Sequence, residues 1–160
     1  MNFLEAYPIL QDFEGHGTLS DHSDDPGGKT KWGITEAVAR SAGYTGTMED
    51  LTLETAMSIT QTKYWDAIKA NELPEAIRYV VFDGAFHSGP AQSIRWLQRA
   101  AKVADDGVLG PVTLAAIQKQ DPNILKARIC SQRLTFLTNL SHFNSFGKGW
   151  TRRVAAILEM

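Results

Sequence analysis

The Gly89-Pro90 step limits what this chain can fold into more than any other pair of residues. Pro74 suits the first turn of a helix, which the pattern carries from 74 to about 88. Glycine then stops that helix, and Pro90 opens another that runs to about Val103. Two helices meeting at one forced break set an all-helical plan for the middle of the chain. Capping signals extend it in both directions. Thr35 caps a short helix ending at Gly43, and Thr52 caps one running to about Trp65. Asp121-Pro122 opens a long helix to about Leu140. ADDGVLGP (104–111) is a turn followed by a short helix, and FGKGW (146–150) is a Gly-flanked joint before a last amphipathic helix. That helix has Val154, Ile157 and Leu158 to pack into its own core.

Residues 3–14 place Phe3, Tyr7, Leu10 and Glu14 on one helical face, with Ala6 and Phe13 beside it. Pro8 either kinks this helix or marks its true start. Residues 15–34 are rich in Gly, Asp and Ser, and Lys31-Trp32-Gly33-Ile34 reads as a small hairpin or an irregular loop. The fold class is therefore mainly α, with a small β or loop excursion after the first helix. Gly89-Pro90 separates two helical halves that are too small to stand alone.

The 160 residues suit one domain with a real core, and 43% apolar with 21% charged residues is an ordinary globular mix. A net charge of −2 supplies no basic field for nucleic acid or anionic lipid. The single cysteine, Cys130, rules out an internal disulfide. MNFLEAYPIL lacks a basic n-region, and no uncharged run approaches membrane-spanning length. The expectation is a soluble chain made in the cytoplasm, without membrane insertion.

Glu14 is the sharpest chemical feature. Its stripe-mates are apolar, and it sits at the C-terminal end of its helix. Burial and the negative helix end both disfavour a carboxylate there, which suits a glycosidase general acid. The alternative is an exposed glutamate at a helix end. The following loop supplies Asp24, Asp25 and Thr30, able to hold a water or to stabilise an oxocarbenium-like charge, or simply to form a tight turn. A calcium loop fails on spacing, with Pro26 and Trp32 where glycine and glutamate are needed. Asp83 and His87 stand i, i+4 on an apolar face, where they either line a cleft or tie helices together. Trp32, Tyr64 and Trp65 offer rings for stacking on sugars, although packing is the commoner use. Trp96 and Trp150 read as core. His16, His22, His87, His142 and Cys130 have no metal-site spacing, so no metal or cofactor is expected.

Glu14-Gly15 followed by DPGGKTKWGIT (25–35) resembles the signature of glycoside hydrolase family 108, the phage and bacterial N-acetylmuramidases. The resemblance continues through AMSITQTKYWDAI (56–68) and NELPEAIRYVVFDGAFHSGPAQSIRWLQRAA (71–101). DDGVLGPVTLAAI (105–117) and FGKGWTRRV (146–154) are similar to the peptidoglycan-binding region that follows in such proteins. The resemblance implies a lysozyme-like helical fold, with a catalytic region over 1–89 and a peptidoglycan-binding-like region over 90–160. It implies hydrolysis of the β-1,4 bond between N-acetylmuramic acid and N-acetylglucosamine. Glu14 takes the place of the family's catalytic Glu, the first residue of an EGG motif. Asp25 by motif, or Asp24 if the loop shifts, would partner it, with Thr30 as the loop threonine. Two positions depart from the pattern: His16 replaces the second glycine of EGG, and His87 stands where Asn usually precedes Ser-Gly. The implied partner is bacterial peptidoglycan. The chain would be a monomer, and its release to the wall would depend on a holin.

Overall fold

The computed structural model describes residues 1–21 and 28–160. Asp24 and Asp25 lie outside the described residues. The chain forms two compact units, one of residues 2–65 and one of residues 66–160 together with Met1.

The first unit opens with α1 (Phe3–Glu14). Asn2 caps it reciprocally: its side chain accepts from the Glu5 N–H at 3.1 Å, and the Glu5 carboxylate accepts from the Asn2 N–H at 2.8 Å. Pro8 sits inside the helix without ending it. Pro8 and Leu4 both face solvent, so water can reach the Leu4 carbonyl that proline leaves without its helical donor. Phe3, Ala6, Tyr7, Leu10 and Gln11 form the buried face. Gly15 closes the helix in the left-handed region at φ 81°, its N–H donating to the Gln11 carbonyl at 3.0 Å.

The expected hairpin is present. β1 (Thr30–Lys31) and β2 (Ile34–Thr35) pair antiparallel across a two-residue turn, Trp32-Gly33. Both turn residues have positive φ, 56° and 72°, the mark of a type I′ turn. Ser20 adds an isolated bridge to Thr30, so the chain after α1 returns alongside β1. Thr35 caps α2 (Glu36–Ser41) and Thr52 caps α3 (Leu53–Thr60), each through its side chain. The helix after Thr52 does not stay α to Trp65: from Gln61 to Asp66 it widens to a π-helix.

In the second unit a short 3₁₀ turn (Ala70–Glu72) precedes α4 (Glu75–Ser88). Gly89, at φ 89°, makes the break before α5 (Pro90–Ala101). α6 (Pro111–Gln118), α7 (Pro122–Thr138) and α8 (Phe143–Glu159) follow. α4, α5 and α7 pack mutually, and α8 packs on α7 and α4. A close approach of α4 and α5 needs Gly84, because a Cβ there would lie 2.7 Å from the Ser93 hydroxyl. That hydroxyl donates to the Val81 carbonyl at 2.7 Å. Buried Gln98 fastens the 104–113 turn, accepting from the Gly107 N–H and donating to the Asp106 carboxylate and the Val108 carbonyl.

α8 corrects one expectation. FGKGW is not a joint, because the helix runs unbroken through Gly147 and Gly149. Glycine lowers helix propensity by about 1 kcal/mol against alanine, a cost that tertiary packing of Val154 and Ile157, each 1% exposed, outweighs. Leu158 faces outward instead, at 45% exposure. Among the described residues, no helix is long and apolar enough to cross a membrane.

Candidate active site

Glu14 is the last residue of α1, half-buried, one position before the left-handed Gly15. The turn it enters is unusual. His16 and Gly17 continue in the left-handed region, at φ 49° and 79°. His16 stands where the family pattern has glycine, and it holds a conformation that disfavours a side chain. Its exposed imidazole reaches back to the Asp12 carboxylate at 3.0 Å, an ion pair when the ring is protonated.

Trp32 locks this turn to the hairpin. Its indole N–H donates to the Leu51 carbonyl at 3.1 Å, and its own carbonyl accepts from the Gln11 side chain at 3.2 Å. The ring lies directly on Gly17, where a Cβ would be 2.5 Å from the indole carbons. A bulky residue at positive φ is strained, and such strain collects at functional turns. Here three anchored contacts hold it. Gly17→Ala is expected to lower stability by about 2–4 kcal/mol, from the left-handed penalty and the clash together. An unchanged denaturation midpoint would show that the ring can move aside.

Tyr64 comes from the π-helical segment, half-buried. Its phenol pKa is raised, first by burial and then by the negative charge of Glu14. Glu14 and Tyr64 thus share one electrostatic environment, and Tyr64 stays a neutral O–H donor. The widened helix turns the adjacent Trp65 inward, 1% exposed and edge-on to Phe3 at 5.7 Å. Thr30 is half-buried, its backbone bonded both ways to Ser20 at 2.8 Å. In the first unit Glu14 and Tyr64 are within electrostatic reach of each other, Trp32 packs on the turn that follows α1, and Thr30 lies in the hairpin beside Ser20. Trp65 belongs to the core beneath.

Asp83 and His87 belong to the second unit. Asp83 is fully buried, and its carboxylate accepts from Arg133 at 2.6 Å and from Arg153 at 2.7 Å. This is the helix-tying arrangement, joining α4, α7 and α8, and no face of Asp83 is open to a ligand. Arg133 also donates to Nδ1 of His87 at 3.3 Å, which places the imidazole proton on Nε2. Neither arginine was singled out in the sequence. Arg133 has Ile129 and Leu137 four residues to either side, so it stands on a buried stripe, where a charge demands a partner. Gln11 was missed for a similar reason, being the one polar residue on the buried face of α1.

Burial, followed by the charges of Arg133 and Arg153, pushes the His87 pKa down to about 4. The unfolded chain binds this proton near pH 6.5, well before the folded protein does. Stability is therefore complete above about pH 6.5 and falls as pH drops toward 4, by up to about 3 kcal/mol. His87→Asn should flatten that part of the stability–pH curve, and an unaltered slope would exclude His87 as its source.

Residues 9–89 match the family model described as glycosyl hydrolase 108, and residues 92–155 match the one described as a predicted peptidoglycan domain. A solved structure described as that of Brucella abortus SagA is similar, at 36% sequence identity and a TM-score of 0.89. The likeness covers 98% of this chain and 91% of that one. No functionally curated protein matches. Fold and matches together define a helical glycoside hydrolase joined to a peptidoglycan-directed segment. The chain belongs to glycosyl hydrolase family 108. The hydrolase match includes α4, which packs on α5, α7 and α8 from the peptidoglycan match.

Proposed function

We propose that this chain is a muramidase that hydrolyses the β-1,4 bond between N-acetylmuramic acid and N-acetylglucosamine, with Glu14 as general acid. One observation carries the reading. Within the hydrolase-family segment, a half-buried carboxyl ends α1 at a glycine-capped turn, in the place of the family's catalytic Glu. Glu14 gives its proton to the glycosidic oxygen as the C1–O bond breaks, so the leaving sugar departs with a hydroxyl. Positive charge develops at C1 and the ring oxygen. In the inverting course water adds at C1 and gives its proton to Asp25; in the retaining course the Asp25 carboxylate first bonds to C1, and water then displaces it while giving its proton to Glu14. Thr30 and Asp25, or Asp24 in its place, are assigned to the water and the developing charge. Trp32 and Tyr64 line the sugar path, while Trp65 and Asp83 support the two units from within. In this reading the chain acts on the cell wall as an endolysin-type hydrolase.

The test is to incubate the protein with purified Gram-negative-type peptidoglycan and identify the released fragments by mass spectrometry. New reducing-end N-acetylmuramic acid, unaffected by EDTA, is the expected product. 1,6-Anhydro sugars would make the reaction a transglycosylation, with an internal hydroxyl replacing water. Free stem peptides lost on chelation would point to an amidase. Wall binding without products would leave a non-catalytic binding protein.

A further inference from the structure

Glu14 lies inside a closed circuit of contacts that begins and ends at Gln11. The backbone carbonyl of Gln11 accepts from the Gly15 N–H at 3.0 Å and from the His16 N–H at 3.4 Å. Its side-chain amide donates to the Trp32 carbonyl at 3.2 Å. The Trp32 ring lies on Gly17, and its indole N–H is held by the Leu51 carbonyl at 3.1 Å. The stretch from Gln11 to Gly17, with Glu14 at its middle, is therefore tied at both ends to one residue of the hairpin.

This turn is held from outside and is not a local preference. Gly15, His16 and Gly17 are three consecutive left-handed residues, at φ 81°, 49° and 79°. Glycine enters that region freely, but histidine does not, so the turn needs an anchor to keep its shape. Gln11 is an unusual residue to supply one. It is 3% exposed on a face shared with Phe3, Ala6, Tyr7 and Leu10, and its side-chain oxygen is buried with no hydrogen-bond partner among the described residues. An apolar side chain of the same size would avoid that desolvation cost. Stability alone does not ask for a glutamine here, whereas the Trp32 carbonyl does.

We infer that Gln11 is a positioning residue for the reaction: it ties the turn after Glu14 to the hairpin and so sets the direction of the Glu14 carboxyl relative to the strand that carries Thr30. Thr30 stands two residues before Trp32 in β1, so the anchor that fixes Trp32 also fixes Thr30. Gln11 is buried and acts through Glu14, without meeting substrate. The inference rests on the muramidase reading, with Glu14 as the acid. Without the anchor, His16 is free to leave the left-handed region, and the last turn of α1 moves with it. A shift of about 1 Å at a reacting group can cost about 10²-fold in rate while substrate contacts stay intact.

The experiment compares kcat and KM on soluble glycan strands released from peptidoglycan. Gln11→Met keeps the volume and removes the donor, and its kcat should fall by about 10–100-fold. Its KM should stay within about twofold of the parent, since no substrate contact is lost. It should unfold within about 4 °C of the parent, because the lost hydrogen bond is offset by the buried oxygen that goes with it. Gln11→His, whose Nε2–H lies as many bonds from Cβ as the glutamine Nε2, should retain most of the rate. Unchanged kcat in Gln11→Met, a raised KM in place of a lowered kcat, or equal losses in Gln11→Met and Gln11→His would overturn the inference. So would a Gln11→Met protein that does not fold, since Gln11 would then serve stability. Hydrogen exchange separates failure of the muramidase reading from failure of this one. Gln11→Met should speed exchange of the Gly15 and Thr18 amides about fivefold, as loss of a net hydrogen bond of about 1 kcal/mol requires. That change with no reducing ends from the parent would sink the muramidase reading alone. Unaltered exchange would overturn the anchoring role whatever the parent cleaves.

Discussion

Glu14→Gln is expected to cut the release of reducing ends from peptidoglycan by about 10²–10⁴-fold, the usual range for removing a general acid. The amide keeps the size of the side chain and loses the proton that the leaving oxygen needs. The fold should survive, because Glu14 is half-buried at the terminus of α1 rather than in the core. The amide is close to isosteric with the carboxyl, so stability should change by no more than about 0.5 kcal/mol. A second readout comes from Tyr64. Its pKa is raised by burial and by the charge of Glu14. The substitution removes the second cause and keeps the first. Spectrophotometric titration should find the Tyr64 phenol ionising at lower pH in the variant. Full activity in a folded Glu14→Gln protein would sink the assignment. An unmoved Tyr64 titration would show that the two side chains do not share one environment.

Local signals carried the helices. Thr35, Thr52 and Asp121 cap where their side chains predict, because a cap satisfies N–H groups within three residues and needs no distant partner. The Lys31–Ile34 hairpin was legible for the same reason. What local pattern could not show was which of two neighbouring residues faces inward across the π-helical stretch. An extra residue per turn breaks the 3.6-residue period, so Trp65 turns into the core while Tyr64 stays beside Glu14. The continuity of α8 through two glycines was hidden too, since the packing that outweighs their cost involves other helices. At the candidate site, Glu14 stood out by its place on an apolar stripe. The anchoring of Trp32 by Gln11 and Leu51 joins segments about twenty residues apart and left no trace in any one window. The partners of Asp83, 50 and 70 residues away, were equally invisible.

Asp83→Asn should lower stability by about 3–5 kcal/mol, the cost of leaving buried charges without their counter-ion. That is a large part of the roughly 5–15 kcal/mol by which a domain of this kind is stable. The loss follows from the geometry. Both carboxylate oxygens are occupied, Oδ2 by Arg133 at 2.6 Å and Oδ1 by Arg153 at 2.7 Å, with the Nε of Arg153 within 3.1 Å of both. Arg133 is wholly buried, and water cannot replace the lost anion. The amide would present an N–H₂ group to a guanidinium. Burial alone would raise the Asp83 pKa, but the two arginines overcome it and hold the carboxyl below its ordinary value. The stabilisation is therefore present above the ordinary carboxyl range and is lost only as pH falls through the depressed folded value. Burial first, and then two cations facing one anion, keep His87 neutral. Replacing all three charged partners with apolar residues of similar volume should restore much of the stability, because the cost lies in the unpaired charge and not in the lost bonds. The same variant decides whether Asp83 meets substrate. At a temperature where Asp83→Asn remains folded, KM should match the parent. A raised KM with an unchanged unfolding midpoint would move Asp83 from the interior tie to the binding surface.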